Sequence, residues 1–151
     1  MADTDDEAIE RARRIAQWMI DAGSFATFLG IQVEEAAPGY CRAALLVRED
    51  MLNPLRLTHG GVTFTLADFA FGVACNSHGR ATLGLSTTIA YPASSRAGDR
   101  LLAEAREESR GNRTGLYRVE VRRGDGTLVG LFQGTAFSTG DSVSRWMDDS
   151  G

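Results

Sequence analysis

Apolar residues recur at helical spacing near the start of the chain, at Ile9, Ala12, Ile15, Ala16 and Met19, with Glu and Arg between them. That period predicts an amphipathic helix over residues 5–22, stopped by Gly23. From residue 28 the pattern shortens. "LGIQVEEA" and "YCRAALLV" are partly alternating runs parted by Pro38-Gly39. They predict a hairpin, although Pro-Gly does not specify a tight primed turn. The polar stretch "REDMLNPLRLTHGG" reads as a loop. Residues 60–77 then run without proline, too long and too apolar for a strand. They predict a helix that is apolar nearly all round and therefore buried.

After Gly79 the strand pattern returns. "TLGLSTTIAYP", "DRLLAEAREESR", "GLYRVEVRR" and "TLVGLFQGTAFS" are separated by turn-rich connections, and Asp125-Gly126 marks a hairpin. Leu116, Val119 and Val121 alternate with Arg118, Glu120 and Arg122. The polar segment after Gly140 is expected to fray. The order is helix, two strands, buried helix, four strands. It predicts an α+β fold, an antiparallel sheet curled around one long helix. A small sheet has free edges, so pairing of two copies along an edge strand is expected.

The bulk numbers narrow the function. The chain of 151 residues suits one domain with a real core. Its net charge of −4 leaves no general basic surface for nucleic acid or anionic membrane. Cys41 and Cys75 stand alone, which suits a reducing compartment and neither a disulfide scaffold nor a zinc cluster. The acidic start "MADTDDEAIERARR" is not a signal peptide, and the longest apolar-plus-Gly run, residues 69–75, is far short of a membrane span. The expected location is cytoplasmic.

The chemistry concentrates in residues 52–77, where Asp68 stands among Phe64, Leu66, Phe69, Phe71 and Val73. A carboxylate in such a setting costs several kcal/mol unless partnered, or has its pKa raised. Thr65 is the one local side chain placed to hydrogen-bond it. Gly60 and Gly61 stand at the start of the predicted helix, after His59. Backbone N–H groups there lack intrahelical partners and carry partial positive charge. Such an end can bind a phosphate or an acyl-transfer oxyanion, or the glycines can simply make the turn. Gly60 and Asp68 are eight residues apart, a rise of about 12 Å on one helix. One carbonyl cannot touch both. A joint site requires two antiparallel copies of the helix, two sites per symmetric dimer. Asn53 could orient a water or carbonyl, or serve only as a turn residue before Pro54. His59 is a possible general base, but the simpler reading, that it bonds backbone and shapes the loop, is preferred. His59, Asp68, Cys75 and His78 show no metal-ligand spacing, so no metal and no cofactor is expected.

The strings "HGGVTFTLADFAFGVACNS" and "GNRTGLYRVEVRRGDGTLVGLFQGTAFSTG" resemble the hotdog-fold acyl-CoA thioesterases of the PaaI (phenylacetic acid degradation) type, over residues 28–140. The resemblance implies a hotdog domain at 28–140, an N-terminal helical extension at 1–27 and a polar tail at 141–151. It implies an acyl-CoA substrate, aromatic or medium-chain, and a homotetramer built as a dimer of dimers. It makes Asp68 the nucleophile or general base, Gly60 the oxyanion donor, Asn53 a positioning residue and His59 a support. Gly61, Arg96, Arg113 and Thr114 become substrate contacts, with Arg110 another candidate near the coenzyme A phosphates. Two competing expectations are a hotdog enoyl-thioester hydratase or dehydratase, which needs a His paired with an acid, and a non-catalytic acyl-CoA-binding module.

Overall fold

The computed structural model describes residues 2–149. Helix α1, Asp5–Ala22, spans the expected range and starts at a capping box, with Thr4 and Glu7 each bonding the other's backbone N–H. Gly23 ends it, as the pattern predicts. A second short helix follows at once, α2, Ser24–Leu29, closed by Gly30 in the left-handed conformation (φ 76°). The sequence pattern does not announce it, because six residues are too few to display a helical period.

The six expected strands are present as β1 (Gln32–Ala37), β2 (Tyr40–Leu46), β3 (Arg80–Ala90), β4 (Arg100–Arg110), β5 (Thr114–Arg122) and β6 (Leu128–Ser142). They form one sheet in the order β1-β2-β4-β5-β6-β3, and every pair is antiparallel. Ala37 pairs with Tyr40, so Pro38 and Gly39 alone make the first turn, with Gly39 at φ 70°. Proline followed by a positive-φ glycine is the type II pattern, not a primed one. The Asp125-Gly126 hairpin is wider, joining Arg122 to Leu128, with Gly126 at φ 87°. The segment after Gly140 corrects the fraying expectation. It extends β6 to Ser142 and adds α4, Ser144–Asp148. Val143 anchors it, buried and donating its N–H to the Gly79 carbonyl.

Helix α3, Gly60–Asn76, lies in the curl of the sheet and packs on β2, β3, β4, β5 and β6, the hotdog arrangement. Leu66, Ala67, Ala70, Phe71, Val73 and Ala74 are fully enclosed. Phe71 is the central plug, with ring centroids 5.5 Å from both Tyr117 and Phe132. A Cβ on Gly134 would come within 2.8 Å of the Phe71 ring, so the plug needs glycine opposite it. Truncating such a phenylalanine costs about 3–5 kcal/mol.

The expectation that α3 is buried all round needs one correction. Gly61, Thr65, Asp68, Gly72 and Asn76 form an open stripe, in which Asp68 is exposed. The sheet ends at its edge strand β3 and does not wrap the helix completely. Small and polar residues stand where the wrapping stops. At the far end, Ser77 ties the helix to the β1–β2 turn by accepting the Gly39 N–H at 2.8 Å. Asn76 ties it to β3, accepting the Thr82 N–H at 2.9 Å and donating to the Thr82 carbonyl at 3.0 Å.

Candidate active site

The loop before α3 is shaped by Asn53. Its Oδ1 accepts the backbone N–H groups of Leu55 (2.9 Å) and Leu57 (3.2 Å), and its carbonyl accepts from Arg56. Arg56 sits at φ 63°, the one positive φ outside glycine among the described residues. Asn53 therefore has a turn role through Oδ1, while its Nδ2 has no partner among the described residues.

His59 caps α3. Its Nδ1 accepts the Gly61 N–H at 2.9 Å, which leaves any ring proton on Nε2. This is the backbone-bonding role preferred from the sequence. It also means that the Gly61 N–H is already occupied. The Gly60 N–H has no hydrogen-bond partner among the described residues. Tyr91 lies against Gly60, donating its hydroxyl to the Gly60 carbonyl at 3.1 Å. A Cβ on Gly60 would meet the Tyr91 ring at 3.2 Å, so glycine here permits a close approach. Asn53, Gly60, Thr58, Tyr91 and Ser95 line a cavity of about 450 Å³. Tyr91 went unnoticed in the sequence. Its signal was an aromatic ending a strand just before Pro92.

Asp68 lies two turns further along α3 and opens elsewhere. It lines a second cavity, about 600 Å³, between the α1–α2 pair, α3 and β3. Trp18, Met19 and Phe25 form one wall and Thr65, Phe69 and Gly72 the floor. The Asp68 carboxylate makes no hydrogen bond or ion pair with any described residue, and Thr65 bonds the Gly61 carbonyl instead (2.7 Å). Desolvation by the apolar walls raises its pKa above the ordinary carboxylate value. Asp68 and the Gly60–Asn53 pair thus face separate cavities on one chain.

The expected phosphate-side residues also separate. Arg113 and Thr114 line a third, narrow cavity of about 80 Å³ together with Arg80 and Arg110. His78 contacts Glu107 there at 2.7 Å, and the Tyr117 hydroxyl donates to the same carboxylate at 2.8 Å. Arg80, overlooked in the sequence, is brought in by pairing with Ser142 at the end of β6. Arg96 lies away from these groups, in the β3–β4 connection, where its N–H is bonded to Asp99.

The Thioesterase superfamily profile matches residues 56–130, from the loop through α3 into β6. The Escherichia coli K12 acyl-coenzyme A thioesterase PaaI is 34% identical over 134 residues, covering 89% of this chain and 96% of that protein. The chain belongs to the thioesterase superfamily. The solved E. coli PaaI structure superposes with a TM-score of 0.88 at 33% identity, over 89% of this chain and 98% of that one. A putative esterase of Archaeoglobus fulgidus is 33% identical over 85% of this chain and 83% of its own. A Streptococcus mutans UA159 protein solved with acetyl CoA bound is 29% identical, with a TM-score of 0.73 over 76% of this chain and 93% of that one. No helix among the described residues of this thioesterase superfamily member is long and apolar enough to cross a membrane.

Proposed function

We propose that this chain hydrolyses an acyl-CoA thioester to the free acid and coenzyme A, at a site built from two copies of α3. The observation that carries this reading is the unpartnered, desolvated Asp68 on the same helix as the free Gly60 N–H, each facing its own cavity. The kinship with PaaI, an acyl-coenzyme A thioesterase, supports it. So does the acetyl CoA held by the Streptococcus relative.

Two copies paired along the free edge of β3 would lay their α3 helices antiparallel. Leu83 and Leu85 on that edge are 64% and 65% exposed in the single chain, a surface suited to burial. Gly60 of one copy then approaches Asp68 of the other, giving two sites per dimer. The Gly60 N–H, at the positive end of α3, takes the carbonyl oxygen and holds it more tightly as charge develops. Asp68 acts on the carbonyl carbon by one of two routes. It attacks directly to form an anhydride that water then opens, or it draws a proton from the attacking water. In both, the C–S bond breaks and the thiolate leaves without strong acid assistance. Asn53 Nδ2 positions the carbonyl or water, and His59 holds the glycine turn. The cationic cleft of Arg80, Arg110 and Arg113, with Thr114, suits the coenzyme A phosphates. Gly61 serves by its lack of a side chain, because a Cβ there would strike His59 Nδ1 at 3.0 Å.

In this reading residues 28–140 are the catalytic domain and 1–27 an extension. The working assembly is a dimer of dimers in the cytoplasm, and an aromatic acyl group of the phenylacetate type is among the substrates. A hydratase has less support, because His59 Nδ1 is already taken up in capping the Gly61 N–H. A pure binding module has no use for an unpartnered carboxylate. Thiol release from a panel of aryl and short to long acyl-CoAs, wild type beside Asp68→Ala, tests the proposal. Release that survives Asp68→Ala undiminished would defeat it. Incorporation of oxygen label from water into Asp68 in a single turnover would identify the anhydride route.

A further inference from the structure

The Asp68 cavity has an uneven lining. Its residues come from α1, α2, α3, β3 and the β6–α4 corner, and Asp68 is the one ionisable group among them. Among the described residues of one chain, no cation lines it. The remainder is dominated by carbon, with Trp18, Met19 and Phe25 on one side and Phe69 and Leu83 on others. Its volume, about 600 Å³, lies within the range of small-molecule sites. The N-terminal helices come close to α3 at Gly72, where an added Cβ would lie 3.3 Å from the Met19 methyl. Met19 is half-buried and unbranched, so its position sets how far the cavity reaches between the helices.

We infer that this cavity receives the acyl group, and that Met19 and Gly72, with Trp18 and Phe25 above them, determine which acyl groups are hydrolysed. The inference rests on the thioesterase reading and deepens it. The acyl class is apolar and uncharged. An ω-carboxylate, as in a succinyl group, would enter a largely apolar space in which the one ionisable group among the described lining residues is another carboxylate. Like charges so placed disfavour binding strongly. The α1–α2 pair is thereby part of the specificity apparatus and not only a packing extension. Opening the cavity at Met19 extends the accepted chain, and filling it at Gly72 shortens it.

The test compares kcat/KM by thiol release for acetyl-, hexanoyl-, decanoyl-, phenylacetyl- and succinyl-CoA, using the full chain as wild type, Met19→Ala and Gly72→Val. Circular dichroism and sizing accompany each. The expected wild-type result is succinyl at least about tenfold below hexanoyl. Met19→Ala raises the decanoyl-to-hexanoyl ratio by about tenfold, and Gly72→Val lowers the hexanoyl-to-acetyl and phenylacetyl-to-acetyl ratios by a similar factor. Ratios within one protein cancel any loss of folded material, so a poorly folding Gly72→Val leaves Met19→Ala as the deciding variant. A wild type that hydrolyses the panel, with ratios unmoved by Met19→Ala, overturns this inference and leaves the thioesterase reading standing. A change in assembly with unmoved ratios also overturns it, since the cavity wall would then be interface packing. A wild type that hydrolyses no member of the panel removes the thioesterase reading and this inference together.

Discussion

The two cavities beside α3 differ in kind although one helix serves both. The cavity at the helix start is bordered by Asn53, Thr58, Ser95 and the Gly60 N–H, which has no partner among the described residues. The cavity two turns later is walled by aromatic and aliphatic side chains around one carboxylate. The first offers fixed dipoles to developing negative charge, and the second sets an anion beside apolar walls that desolvate it in part. A thioester needs both, an electrophile polarised on oxygen and a reactive base beside its carbon. Because the helix holds them about 12 Å apart, the chemistry divides between copies of the chain.

The sharpest way to break this contrast is to remove the carboxylate while keeping its shape. Asp68→Asn is expected to lower kcat by about 10²–10⁴. Wild-type kcat/KM should fall on acidification through the Asp68 pKa, which desolvation places above the ordinary carboxylate value. The ionised form is the active one, so activity is lost on the low side. A profile flat through the carboxylate range would remove Asp68 from the mechanism. At the other cavity, Gly60→Pro deletes the N–H at a first-turn position and should cost about 10²–10³ in kcat beyond the loss in Gly60→Ala, which presses the same Cβ on Tyr91 but keeps the N–H. Mixing the two defects tests the division between copies. A random mixture of Asp68→Ala and Gly60→Pro chains makes about half heterodimers with one intact site each, restoring roughly a quarter of wild-type activity. If the site were complete within one chain, mixing would restore nothing.

How far the sequence announced this site depends on which physical signal each part leaves. The six strands and α3 were legible because period-2 and apolar runs report burial directly. Gly60 and Asp68 were legible because glycine and aspartate are costly where they stand. Three features were not. Thr65 was the local partner suggested for Asp68, yet its hydroxyl turns back to the Gly61 carbonyl, a choice helical geometry makes and composition hides. Asp68 was expected to be buried, but the sheet stops at β3, and where a sheet ends is a property of strand order. Tyr91 and Arg80 reach their cavities through the pairing of β3 with β6, partners roughly fifty residues apart in sequence. Long-range pairing leaves no local trace in composition.

A smaller effect separates the turn role of Asn53 from its chemical one. Asn53→Asp keeps an Oδ oxygen for the Leu55 and Leu57 N–H groups but loses the Nδ2 donor. The loop should survive, with an unchanged Tm, while kcat falls about tenfold. Asn53→Ala loses both functions and should lower Tm as well as kcat. Equal kcat for wild type and Asn53→Asp would confine Asn53 to the turn.

The smallest expected effect runs opposite to activity. Asp68 has a folded-state pKa raised by desolvation, and no described residue stabilises its charge. Its ionised form is therefore disfavoured in the folded chain relative to the unfolded one. The resulting deficit is present above the folded pKa and vanishes as pH falls below the unfolded value. Asp68→Asn removes it, so the inactive variant should melt slightly higher than wild type at pH 7, by about 1–2 °C. The gap should close as the pH approaches 4. Thermal melts of both proteins across that range measure it. A variant that melted lower at pH 7 would mean that Asp68 stabilises the fold through a partner, and the carboxylate would then owe its position to structure instead of chemistry.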